Sequence, residues 1–179
     1  MQAESLSYPI GKYVRPSQTS PEIIQQWIAD IEELPKKLRT LTAQLSEAQS
    51  DIPYRPDGWT SRQVVHHLAD SHINSFVRFK LVMTETNPVI RPYQEADWAK
   101  TPDASSPTPL EISLQLLDAL HIRWTILLKS MIASDWQRTY FHPEYPQALT
   151  LEFALGLYAW HGKHHTAHIQ SVIDNLAKK

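Results

Sequence analysis

Four of the nine histidines fall in Trp160-His-Gly-Lys-His-His-Thr-Ala-His168, and three more in Val64-Val-His-His-Leu-Ala-Asp-Ser-His72. Imidazole binds divalent transition metals and carries protons near neutral pH. Spacing sorts these histidines by role. At about 100 degrees per residue, His161 and His165 project from one helical face, in line with the apolar stripe Leu151, Ala154, Tyr158, Ile169, Val172 and Leu176. His168 falls at the margin of that stripe and His164 further out. An i, i+4 pair of histidines can hold one metal without distorting the backbone. The ordinary alternative is a pair of core histidines bonded to backbone. It would bury four ring nitrogens beside few polar partners on that helix, so a metal site is the stronger reading.

A third ligand must come from another element. On the other histidine-rich segment, His67 borders the apolar arc of Val64, Leu68, Phe76 and Phe79, whereas His66 faces away and His72 lies inside the arc as a core histidine. His67 also begins a polar line through Ser71, Asn74 and Arg78 that suits the wall of a wet pocket. Asp70 turns aside and is expected to pair with an exposed His66. His121, and His142 beside Pro143, have no partner at ligand spacing and are expected to be structural or exposed. His67, His161 and His165 are therefore the expected ligands of one divalent transition metal per chain. In the doublets His66/His67 and His164/His165, a shift of one residue would select the neighbour.

Three neutral imidazoles leave a fourth coordination position open, as in catalytic rather than structural sites. A water there would have its pKa lowered towards 7, which suits hydrolysis of a small-molecule substrate. A cofactor thiol would instead lose its proton, which suits S-transfer of a low-molecular-weight thiol to an electrophile, with Arg78, Asn74 and Arg91 as candidate anchors for its carboxylates. A fourth protein ligand, His168 or Glu144, would close the site and leave a non-catalytic metal-binding module. No residue stands out as a catalytic nucleophile or general base.

Elements must bring these residues together. Ser20 and Pro21 open a helix carrying Trp27, Ile31, Leu34, Leu38, Leu41 and Leu45, with a kink expected at Pro35. Thr60-Ser-Arg-Gln63 has capping-box spacing and opens a second helix to about Met83; Thr108-Pro-Leu-Glu111 has the same spacing and opens a third to about Met131. Thr150 caps a fourth, reaching about Leu176. A long proline-punctuated connection spans Thr86 to Pro107, and Arg138–His142 can pair with Gln147–Thr150 as a small hairpin. The fold predicted is all-α: an antiparallel four-helix bundle in a single domain over residues 1–179, with a long loop and a small irregular or hairpin insert before the last helix.

Composition narrows the function classes. The 179 residues are 42% hydrophobic, with 17 Lys+Arg against 19 Asp+Glu and a formal net charge of -2. That balance carries no basic field for nucleic acid or anionic membrane. The absence of cysteine excludes a disulfide framework, a thiolate zinc site and a Cys nucleophile. No window approaches the 18 or so apolar residues of a membrane span, and Met1–Tyr8 lacks the pattern of an export signal, so a soluble cytoplasmic protein is expected.

Trp59-Thr-Ser-Arg-Gln-Val-Val-His-His-Leu-Ala-Asp70, followed by Trp160-His-Gly-Lys-His-His165, resembles the DinB/YfiT family of small metal-binding helical proteins. Ser7-Tyr-Pro-Ile-Gly11, Arg78-Phe-Lys80 and Ile90-Arg-Pro-Tyr93 resemble the YfiT branch in particular, so the likeness covers nearly the whole chain. It implies an antiparallel four-helix bundle, usually a homodimer, with zinc or, second, nickel held by three histidines. Carried over by position, those are His67, His161 and His165. The YfiT branch implies a metal-dependent hydrolase; other DinB-like proteins imply thiol transfer.

Overall fold

The computed structural model describes residues 6–178, so the first five residues of the Met1–Tyr8 segment, and Lys179, lie outside the described residues. Four long helices dominate: α1 (Pro21–Thr42), α2 (Ser61–Thr84), α3 (Leu110–Ser130) and α4 (Leu151–Leu176). Three begin as their sequences dictate. Ser20 caps α1 by accepting the Ile23 amide, with Pro21 where no intrahelical donor is needed, and Thr150 caps α4 through the Phe153 amide. At α2 the full capping box forms, with the Thr60 hydroxyl accepting the Gln63 amide at 3.1 Å and the Gln63 side chain accepting the Thr60 amide at 3.0 Å. α1 continues through Pro35 as one helix.

The start of α3 departs from expectation. Thr108 Oγ1 donates to the Pro102 carbonyl at 2.9 Å, and Glu111 accepts from Arg39 at 2.8 Å, so the Thr108–Glu111 capping box does not form. The helix starts at Leu110 behind Pro109 without a side-chain cap. A guanidinium on α1 is a stronger partner for Glu111 than a backbone amide, and it ties two helices together.

α1 and α2 each pack against both α3 and α4, which places α1 diagonally opposite α2 and α3 diagonally opposite α4. The result is a four-helix bundle in which the first two helices of the chain are not neighbours. Within the connection from Thr86 to Pro107 lie a single helical turn (Glu95–Trp98) and a 3-10 turn (Pro102–Ala104). Buried Arg62 braces its far end, donating to the Thr108 carbonyl at 2.7 Å while also binding Asp51 at 2.7 Å and Glu47 at 2.8 Å. The insert forms the expected hairpin in shorter form: β1 (Thr139–Tyr140) pairs antiparallel with β2 (Leu149–Thr150), Thr139 opposite Thr150.

The interior divides along the bundle. One apolar cluster joins Ile28, Ile31, Phe79, Trp124, Leu128, Leu151 and Leu155, and the other joins Leu34, Leu38, Val64, Leu68, Leu117 and Ile169. Between the two sets, α2 carries His72, α3 carries His121, and α4 carries His161, His165 and His168. Gly162 lets α4 approach α1 at this level, since a Cβ there would lie 2.9 Å from Leu34 Cδ2. Among the described residues, no helix is long and apolar enough to cross a membrane.

Candidate metal centre

α2 supplies His67, and α4, beside it in the bundle, supplies His161 and His165 one turn apart. One ring nitrogen of each lies within 4.8 Å of one in each of the others. His67 Nε2 and His161 Nε2 are 3.2 Å apart. Two nitrogens bound to a tetrahedral zinc at ordinary distances stand about 3.3 Å apart, so the His67–His161 pair already has ligand spacing, with a His165 nitrogen within 4.8 Å of both. Burial pushes the His67 imidazole down to about 4, helped by the neighbouring His164, and holds His161 and His165 well below the ordinary histidine range. All three therefore remain neutral at neutral pH, as a metal ligand must be.

Trp59, at the entrance to α2, lies against two of the three rings, with centroids 4.7 Å from His67 and 6.3 Å from His165. Beside them opens a cavity of about 470 Å³, lined by Trp59, Ser71, Tyr158 and His161 on the bundle side. Tyr93 and Glu95 from the long connection and Tyr140, His142, Glu144 and Tyr145 from the insert form its outer wall. Arg78 reaches in from α2 and donates to Tyr158 Oη at 3.3 Å; among the described residues no carboxylate forms an ion pair with it. Burial raises the Tyr158 phenol above its ordinary range, with Arg78 opposing, so that hydroxyl stays protonated. Glu95 is raised too, by burial against the opposing pull of Arg78.

Residues 30–169 match the DinB superfamily. The chain belongs to the DinB superfamily. Within that family it is 50% identical over 173 residues to a protein of Bacillus mycoides, covering 97% of this chain and 98% of the relative, and 50% identical over 171 residues to one of Bacillus cereus, covering 96% and 97%. Both relatives carry the name "Putative metal-dependent hydrolase". Of solved structures, YfiT from Bacillus subtilis, described as a probable metal-dependent hydrolase with an unusual four-helix bundle topology, matches with a TM-score of 0.92 at 46% identity. That match covers 97% of this chain and 98% of YfiT.

Other expectations for this DinB-family chain need correction. His66 is not exposed and does not pair with Asp70: it is 3% exposed, with Nδ1 2.7 Å from Ser113 Oγ on α3. The polar arc of α2 is covered there by a neighbouring helix, which a dial for one helix cannot register. His164 and His168 are likewise buried, His164 stacked on Trp160 at 4.5 Å and His168 on Tyr54 at 3.8 Å. His121 is structural and buried, and His142 lies at the cavity wall. Of the polar line on α2, Ser71 and Arg78 reach the cavity; Asn74 turns back to bond the Asp70 carbonyl, and Arg91 is exposed outside the lining. Tyr140, Tyr145 and Glu95 were missed. Only Tyr158, one turn before His161 on the same face, left a periodic signal.

Proposed function

We propose that this protein is a metal-dependent hydrolase whose single divalent ion, zinc or nickel, is held by His67, His161 and His165. The convergence of three neutral imidazoles, two buried and His161 half-buried, at the end of a cavity carries the reading, and the names of its relatives agree with it. A divalent ion held this way supplies an acidified water and a Lewis acid for a carbonyl or phosphoryl oxygen. The chain's own residues do the rest. Trp59 packs over two ligand rings and keeps bulk water from them. Tyr158, accepting from Arg78 and itself protonated, is placed to donate its hydroxyl proton to a substrate oxygen in the cavity. The aromatic wall holds the apolar body of a small substrate.

Metal analysis of the purified protein, with turnover measured on ester, amide and phosphoester panels, tests this. One ion per chain, lost in His165→Ala together with hydrolysis, is expected. A metal-replete protein that hydrolyses nothing, or full occupancy in His165→Ala, would overturn it. One observation favours thiol S-transfer as a second reading: Arg78, which forms no ion pair with a carboxylate among the described residues, faces the same cavity and suits an anionic thiol. Thiol-dependent turnover without hydrolysis, with the KM for the thiol raised in Arg78→Ala, would put that reading first.

A further inference from the structure

A second histidine group overlaps the first: His164, His165 and His168 also bring ring nitrogens within 4.8 Å of one another. A second metal is one use for it. The hydrogen bonds point to another. His168 Nε2 lies 3.2 Å from the Ser7 carbonyl, and its Nδ1 lies 3.4 Å from His165 Nδ1. A carbonyl only accepts, so His168 must carry its proton on Nε2, which leaves Nδ1 as a bare lone pair. His165 must then donate from Nδ1, leaving its Nε2 bare.

The same logic runs on the other side. His121 Nδ1 lies 2.6 Å from the Ile31 carbonyl on α1, so that nitrogen carries the proton and His121 Nε2 accepts. His72 Nδ1, 3.0 Å from His121 Nε2, must donate, which leaves His72 Nε2 bare. His161 Nδ1, 3.3 Å from His72 Nε2, donates in turn, which leaves the lone pair on His161 Nε2, 3.2 Å from His67 Nε2. Packing holds the intermediate rings: His72 lies parallel to His121 at 5.0 Å, and His168 is stacked on Tyr54.

We propose that two histidine relays, His121–His72 anchored on the Ile31 carbonyl and His168 anchored on the Ser7 carbonyl, fix the tautomers of His161 and His165 so that both offer Nε2 to one metal ion. His72, His121 and His168 are thus positioning residues. The metal consequence rests on the ligand assignment proposed above; the tautomers do not. Partners of this kind commonly change metal affinity 10–100-fold when removed.

Nitrogen-15 correlation spectra of the metal-free wild-type protein at pH 8 read each tautomer directly. Protons on Nδ1 of His72, His121, His161 and His165, and on Nε2 of His168, are expected; free histidine favours Nε2–H, so the pattern is distinctive. An Nε2 proton on His161 or His165 overturns the relays whatever the protein binds. His72→Phe keeps the ring volume while removing the link. It should release His161 to a mixture of tautomers and weaken zinc binding about 10–100-fold, neither of which a packing defect alone would do. Should that variant not fold, the wild-type spectrum still decides. Correct tautomers with no zinc uptake would defeat the ligand assignment and leave the relays standing. Two zinc ions per chain, one of them lost in His168→Ala, would make His168 a ligand and overturn its relay.

Discussion

Phe79 and His72 stand two turns apart on α2, both fully buried, and they are held in different ways. Phe79 meets Trp124 edge to face at 5.5 Å inside an apolar cluster, where area and shape decide its contribution. His72 has one nitrogen 3.0 Å from His121 and the other 3.3 Å from His161, so direction decides. The apolar clusters tolerate a change of volume at a graded loss. The histidine layer tolerates little, because each proton assignment is tied to the next.

The sharpest break in that comparison comes from Phe79→Ala. It should lower stability by about 3–5 kcal/mol in denaturant unfolding while leaving bound metal per folded chain unchanged. Metal content that fell in step would mean that layer and cluster are one unit. Removing metal with a chelator probes the other side. At a free-ion concentration 1,000 times Kd before chelation, the loss should be about 4 kcal/mol, and it should add to that of Phe79→Ala within about 0.5 kcal/mol.

Acid should separate the two regions next. Burial pushes His121 down to about 4 from its ordinary 6.5, against the Ile31 carbonyl, which pulls the other way. Above pH 6.5 the residue is neutral folded or unfolded and its contribution is complete. As the pH falls from 6.5 to about 4 the unfolded chain takes up the proton first, so stability is lost, by about 3 kcal/mol in all from this residue. Unfolding of the chelated protein across that range should show the slope, reduced in His121→Phe. The smallest effect belongs to neither region: Thr60→Ala removes half of the α2 capping box and should lower stability by about 1 kcal/mol, with metal binding unaltered.

Periodicity made the apolar half of this fold legible. Leu34, Leu38, Val64, Leu68, Leu117 and Ile169 all lie where the stripes place them, and the caps at Ser20, Thr60 and Thr150 bond as their sequences dictate. The cap at Thr108 was misread because Glu111 has a competing partner on another helix, a contact without local signature. The gathering of His67, His161 and His165 was legible for the same reason as the stripes, since His161 and His165 lie in line with one apolar stripe and His67 borders another. The buried state of His66, His164 and His168 was not. Each meets something distant in sequence, Ser113 for His66, Tyr8 for His164 and Tyr54 for His168. Arg62 is likewise buried by distant partners, Asp51, Glu47 and the Thr108 carbonyl.

Because α1 and α2 face each other across the bundle and α2 lies beside α4, His67 meets its counterpart His161, 94 positions along the sequence, only after the intervening chain has been folded back. Closing so long a loop is entropically slow, and it must precede the contact that rewards it. The nitrogens that gather here are therefore expected to converge late in folding. An ion that binds them acts on the finished protein far more than on the barrier leading to it. Its presence should lengthen the lifetime of the folded chain while leaving the rate of folding nearly untouched.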